Sequence, residues 1–253
     1  MTYCLGMKLN QGLVMISDSL TSAGNDNIST YSKMWRFGMP GERQFVLCSA
    51  GNLATTQAVI AILERDIRNA DGTSLLTVAS MHDAADYIGR INVECQQHNT
   101  GGGPAFESTF LLAGEILGAP SGLYLIYSQG NFIACSSQVP FLQIGEAKYG
   151  KPILDRIIEP GTSLERAALC GLVSMDATIR SNLTVGPPIE LYILEAGSLQ
   201  PGRYLCFEEG SDFLRDLRQT WNRLMHESFD RLQPLVWPGY GELTTRELTS
   251  FKC

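Results

Sequence analysis

The sequence predicts an α+β fold in which antiparallel sheets lie inside and helices outside. Three observations lead there. Strand-like and helix-like segments come in blocks, as strands, two helices, strands, two helices and a strand; an alternating parallel α/β fold would interleave them. The first strand-like runs are joined by short links containing glycine, which favours antiparallel hairpins. The 253 residues are 44% hydrophobic and 18% charged, enough apolar material for one sizeable core and too much for a disordered chain.

Tyr3 to Leu9 and Leu13 to Asp18 are apolar runs separated by Asn10-Gln11-Gly12, a predicted hairpin. Met34 to Phe37 and Gln44 to Ser49 repeat this arrangement across Pro40-Gly41-Glu42. Asn52 to Asn69 places Ala54, Ala58, Ala61, Ile62 and Leu63 near helical spacing, with Asn52 as the N-cap. Ser80 to His98 carries a second stripe of Ala84, Ile88, Ile91 and Cys95. Gly101-Gly102-Gly103-Pro104 is read as a connection, because no Gly-Lys-Ser/Thr and no helix follows it, as a phosphate loop requires. Strands are predicted at Thr109 to Glu115, Leu123 to Tyr127 and Phe132 to Cys135, then helices at Lys148 to Ile158 and Ser163 to Arg180. Ile189 to Leu194 closes the core.

The composition then shifts, so residues 1–209 are read as the core and 210–253 as a helical extension. Phe213, Leu214, Leu217, Trp221, Leu224, Met225 and Phe229 form an apolar stripe on a charged helix ending before Pro234 and Pro238. The stripe has two open readings, docking on its own core or on a neighbouring subunit. Trp221, Phe229 and Trp237 are the candidates for contacts between subunits.

Composition excludes several function classes. A net charge of −7 disfavours a nucleic-acid partner. No apolar run approaches the ~20 residues of a membrane helix. The amino end lacks the basic and apolar regions of a signal peptide, so a cytoplasmic protein is expected. Seven scattered cysteines without a C-x-x-C pair fit reduced thiols in apolar surroundings, and Cys253 is not a C-a-a-X signal. His82, His98 and His226 are too dispersed to suggest a metal site or a Ser-His-Asp triad. G-x-S-x-G, H-E-x-x-H and GxGxxG are all missing from the sequence.

The informative residue is Thr2. Methionine removal tolerates a small second residue, and loss of Met1 would leave Thr2 with a hydroxyl and a free α-amine. With a pKa of about 7.7–8.0 the amine is partly neutral and can accept the hydroxyl proton, so nucleophile and base come in one residue. An uncleaved Met1 would instead tie that base into a peptide bond. Many chains begin Met-Thr; the neighbours sharpen the reading. Asp18 ends an apolar strand within Ser17-Asp18-Ser19, and Lys33 precedes another. A lysine near Thr2 would favour the neutral amine and the alkoxide, and Asp18 could anchor it. In Ser49-Ala50-Gly51-Asn52 a glycine stands between strand and helix, where backbone N–H groups can stabilise an oxyanion.

Thr2, Ser17-Asp18-Ser19, Thr21-Ser22-Ala23-Gly24, Lys33 and Ala50-Gly51 resemble the proteasome β-subunit and HslV family of threonine N-terminal-nucleophile hydrolases in order and near-spacing. Met-Thr-Tyr-Cys, the run from Ser49 to Val59, the run from Ile144 to Pro152 and Ser174-Met175-Asp176 resemble its Anbu branch. The resemblance spans Thr2 to about Glu195 and implies an αββα sandwich. It implies Thr2 as nucleophile and base, Asp18 and Lys33 as charge partners and Gly51 as oxyanion donor. Asp176 and Ser181 would steady the terminal amine, Thr21 and Ser22 would border an extended substrate, and Tyr31, Trp35, Ser49 and Leu53 would line the side-chain pocket. It further implies homo-oligomers, stacked or open rings of about a dozen subunits, acting on peptides or small amides without a cofactor or metal. Two departures stand out. Gly145-Glu146-Ala147 replaces Gly-Ser-Gly beside the amine, and Leu20 replaces an arginine after Asp18-Ser19. Glu146 could serve as an acceptor, or the site could be less active. The competing expectations are a non-catalytic scaffold that binds peptide or assembles, and a non-peptide amidase.

Overall fold

The computed structural model describes residues 1–22, 28–69, 72–98 and 103–235. Gly12, at φ 145°, turns β1 (Tyr3–Leu9) into β2 (Gly12–Asp18), and a Cβ there would collide with the Leu194 carbonyl. This predicted hairpin is the centre of a five-stranded antiparallel sheet. Its order is β10 (Phe141–Gly145), β1, β2, β11 (Ile189–Glu195) and β12 (Arg203–Phe207). The second antiparallel sheet runs β5 (Met34–Met39), β6 (Arg43–Gly51), β7 (Ser108–Ile116), β8 (Gly122–Ile126) and β9 (Phe132–Ala134). A short pair, β3 (Leu20–Ser22) and β4 (Ile28–Thr30), leads from β2 toward Lys33.

Alternation along each strand sorts the core into three slabs. Tyr3, Leu5, Val14 and Ile16 face α3 (Lys151–Ile157) and α4 (Leu164–Ser181), together with Leu154, Leu172 and Met175. Cys4, Leu13 and Met15 face the opposite way and meet Val46, Cys48 and Leu111 between the sheets. Phe45, Leu47 and Phe110 pack under α1 (Leu53–Asn69) and α2 (Met81–His98). The result is the predicted sandwich of helices, two sheets and helices. Burying each Leu, Ile or Phe fully contributes about 1.5–3 kcal/mol.

Several elements differ from expectation. α3 starts at Lys151, not Lys148, because Gly150 caps it and Pro152 occupies the first turn. β12 was missed because it is an edge strand with mostly exposed side chains, so burial imposes little alternation on it. β3, β4 and β10 are short strands whose patterns carry little signal. The tail helix, α5 (Asp212–Phe229), is capped by Ser211 and has no buried residue. Leu214 and Leu217 pack against the slab under α4, and Phe213 stacks on Phe207 at 5.4 Å. Phe229 is 75% exposed. Gly101, Gly102, Trp237, Pro238 and Cys253 lie outside the described residues. Among the described residues no helix is long and apolar enough to cross a membrane.

Candidate active site

Thr2 enters β1 at the end of the sandwich, where its backbone is gripped by the far edge strand. Its carbonyl accepts a hydrogen bond from the Glu146 N–H at 2.7 Å, just past β10. Gly145 makes this approach possible: its φ is 79°, and a Cβ there would collide with the Thr2 carbonyl oxygen. Tyr3, the next residue, is fully buried. Its hydroxyl is 2.6 Å from Ser174 Oγ and accepts from Gln143 Nε2 at 2.6 Å. Burial pushes this phenol up to about 12, so Tyr3 is a neutral anchor at all ordinary pH.

Asp18 and Lys33 meet beneath this segment. Asp18 is 0% exposed and Lys33 6%. Lys33 Nζ donates to Asp18 Oδ1 at 2.8 Å and to the Leu20 carbonyl at 2.7 Å. The Tyr3 N–H donates to the same Asp18 oxygen at 3.0 Å, and the Gly186 N–H to Oδ2 at 3.2 Å. Burial pushes the Asp18 carboxyl above its ordinary range, and the Lys33 ammonium and these two amides pull it back. An ammonium has three donors. Two of them point to Asp18 and Leu20, and Lys33 also lines the cavity beside Thr2.

That cavity, of about 500 Å³, is lined by Thr2, Thr21, Lys33, Ser49, Gly51 and Leu53, with Thr56, Glu107 and Gly145 at its margins. Six residues singled out in the sequence thus share one concavity. β6 delivers Ser49 and Gly51, and the Ser49 N–H donates to the Lys33 carbonyl at 3.1 Å, tying that lysine to the sheet. Gly51 has φ 113°. The next residue, Asn52, caps α1 by accepting from the Thr55 N–H at 2.9 Å, so the start of the helix faces the cavity. Thr21 Oγ1 is buried with no hydrogen-bond partner among the described residues.

The remaining residues fall elsewhere. Asp176 and Ser181 line a different cavity with Trp221, Met225 and His226. Asp176 Oδ1 accepts from Arg218 Nε at 2.5 Å, an ion pair between α4 and α5. Trp35 packs against the slab under α1 and α2, and Tyr31 is 43% exposed; neither lines the Thr2 cavity. Ser22 is paired with Ile28 through the backbone, and its side chain lies outside the described part.

Beside Thr2 the position that departs from Gly-Ser-Gly holds a buried carboxylate. Glu146, 7% exposed, accepts from Asn182 Nδ2 at 3.0 Å and lies 3.5 Å from Lys148 Nζ. Asn182, just beyond α4, was missed in the sequence. The departure at Glu146 was its only available signal, since nothing local to Asn182 distinguishes it from a helix C-cap. Among the described residues no group of three or more His, Cys, Asp or Glu side chains is placed to hold a metal ion.

No protein-family model and no curated protein matches the chain. Solved structures do. A protein titled "Anbu (ancestral beta-subunit) from Yersinia bercovieri" is 41% identical, with 93% of this chain and 99% of that chain aligned at a TM-score of 0.89. "Helical Assembly of the Anbu Complex from Pseudomonas aeruginosa" is 44% identical, covering 94% and 100% at 0.89. A Gly-1 mutant of Anbu from Hyphomicrobium sp. strain MC1 is 38% identical, covering 94% and 100% at 0.88.

Proposed function

The chain belongs to the Anbu family of proteasome-like subunits, and from that premise we propose that it is a threonine-type amide hydrolase acting through Thr2. Removal of Met1, which is 60% exposed and also lines the cavity, would free the Thr2 α-amine. The amine takes the proton from the Thr2 hydroxyl while the Lys33 ammonium favours the developing alkoxide. The oxygen attacks the substrate carbonyl, with the Gly51 N–H facing the oxyanion. Collapse expels the amine leaving group, which takes the proton held by the α-amine, and leaves an acyl ester on Thr2. Water then cleaves that ester. Asp18 keeps Lys33 in place.

The observation that carries this reading is the buried 2.8 Å contact between Lys33 Nζ and Asp18 at the wall of the cavity that Thr2 lines. Peptides or small amides are the substrate class, and the protein works in the cytoplasm as a ring or open ring of its own copies. The Anbu complex from Pseudomonas aeruginosa forms a helical assembly, and the exposed apolar residues of α5 supply a contact surface here. Residues 1–209 form the hydrolase core and 210–253 the extension. One observation favours a second reading, a non-catalytic assembly on the same fold: a carboxylate, Glu146, stands where a hydroxyl is expected beside the amine.

Intact-mass analysis separates the two. A catalytic subunit loses Met1 and, with a peptidyl β-lactone, gains one acyl group as the Thr2 oxygen opens the lactone carbonyl–oxygen bond; Thr2→Ala gains none. Retained Met1 and no adduct identify the scaffold.

A further inference from the structure

We propose that Glu190 is a positioning residue for the Lys33–Asp18 pair, an inference that rests on the reading of Thr2 as nucleophile. Glu190 lies in β11, opposite Ser17 on β2 and Cys206 on β12, and is 5% exposed. It makes no ion pair among the described residues. Its carboxylate is held instead by four hydroxyls. Ser17 Oγ and Ser19 Oγ donate to Oε2 at 3.5 and 3.2 Å. Ser32 Oγ, with one proton to give, lies 3.0 and 2.9 Å from the two oxygens and 3.1 Å from the Met34 carbonyl. Tyr204 OH donates to Oε1 at 2.8 Å, with the Arg36 guanidinium 4.2 Å over its ring.

The sequence positions of those partners give the network its meaning. Ser17 and Ser19 flank Asp18, and Ser32 immediately precedes Lys33. One buried carboxylate therefore clamps the backbone on both sides of the acid and next to the lysine, without touching the charges of either. A buried carboxylate without a cation is expensive unless its lone pairs are filled, and four donors fill them. The alternation of β2 makes the division of labour unavoidable. Ser17 and Asp18 point to opposite faces of β2, so Ser17 turns to its cross-strand partner Glu190 while Asp18 turns to Lys33. Fixing Ser32 matters because Lys33 sits in a connection outside the two large sheets, where among the described residues the Ser49 amide and the side-chain bonds to Asp18 and Leu20 hold it.

The test measures acylation by a peptidyl β-lactone, as kinact and KI from intact mass. The proteins are the full-length wild type, Glu190→Gln, Ser32→Ala, Ser32→Thr and the Glu190→Gln/Ser32→Ala double variant. Displacing a reacting group by about 1 Å costs up to 100-fold, so a loss of about tenfold in kinact with KI within about twofold is expected for Glu190→Gln and Ser32→Ala. The double variant falls no further than the worse single, and Ser32→Thr keeps kinact within about threefold of wild type. Unchanged kinact in both singles, losses that multiply in the double, or a loss confined to KI overturns the proposal. Ser32→Ala, at an exposed connection, decides the matter if Glu190→Gln does not fold. An unreactive wild type overturns the reading of Thr2 itself, and this inference with it.

Discussion

Asp18 Oδ1 accepts the backbone N–H of Tyr3 at 3.0 Å while also holding Lys33 at 2.8 Å. One oxygen thus ties the chain immediately after Thr2 to the cation that lines its cavity. The bond runs across the β1–β2 hairpin, so the stability of the hairpin and the geometry of the site are the same property.

Lys33→Met is expected to destabilise the protein by about 3–5 kcal/mol at neutral pH, because it leaves a fully buried carboxylate without its cation. The pH dependence has a definite sign. The folded Asp18 carboxyl already lies above its ordinary range, and losing Lys33 pushes it further up. A folded state that binds the proton more tightly is favoured below the unfolded pKa and loses that advantage as pH rises through the folded one. Urea unfolding should therefore show the deficit of the variant shrinking from pH 7.5 to pH 5, and a deficit independent of pH would contradict this account.

Tyr3→Phe should cost about 1–3 kcal/mol, since it leaves Ser174 and Gln143 short of a partner in a buried site. The phenol is pushed up to about 12 in the folded protein. Its contribution is complete below the ordinary tyrosine pKa of about 10 and disappears as pH rises through the folded value. Burial also pushes up Tyr87, Tyr124, Tyr192 and Tyr204, so phenolate absorbance should show one fewer late-titrating tyrosine in the variant than in the wild type, with the stability gap between them closing in that alkaline range.

Gly145→Ala should abolish β-lactone acylation while leaving the far-ultraviolet circular dichroism intact. A left-handed alanine costs about 1–2 kcal/mol, which the fold survives, but its Cβ must push the Thr2 carbonyl aside. Acylation at the wild-type rate would show that the grip of β10 on Thr2 is unimportant.

Arg218→Ala tests the place of Asp176. Loss of the 2.5 Å bond should destabilise the docking of α5 by about 1–3 kcal/mol and speed proteolysis between α4 and α5. Acylation of Thr2 should be unaffected, since Asp176 and Ser181 line another cavity. A large fall in kinact with α5 still protected would restore Asp176 to the site.

The exposed face of α5 makes a last prediction. Phe229→Glu, at a side chain 75% exposed, should leave the thermal midpoint within a few degrees and reduce the assembled mass seen by light scattering. Unchanged assembly would move the subunit contact elsewhere.

Much of the site was legible because its residues sit where local pattern changes. Asp18 interrupts an apolar run, Lys33 precedes one, and Gly51 separates a strand from a capped helix, so each stands out against its neighbours. Glu146, Asn182 and Glu190 were harder. The Glu146–Asn182 bond spans 36 residues, and three of the four hydroxyls on Glu190 lie 158 to 173 residues away, separations that no periodicity reports. Asp176 and Ser181 show the converse, since matching by position set them beside the amine and the packing of α5 gave Asp176 a nearer cation, Arg218.

The amino-acid sequence alone determined the strand and helix blocks and the antiparallel hairpins, which follow from side-chain period and turn chemistry acting over a few residues. The grouping of Thr2, Asp18, Lys33 and Gly51 came from the resemblance to the proteasome β-subunit family. Only the tertiary structure decided which carboxylate meets which donor, and that Trp35 supports a helix layer and does not line the cavity. Burial makes those choices: a charge or ring removed from water must find its partner in whatever the fold brings near, however distant in the chain.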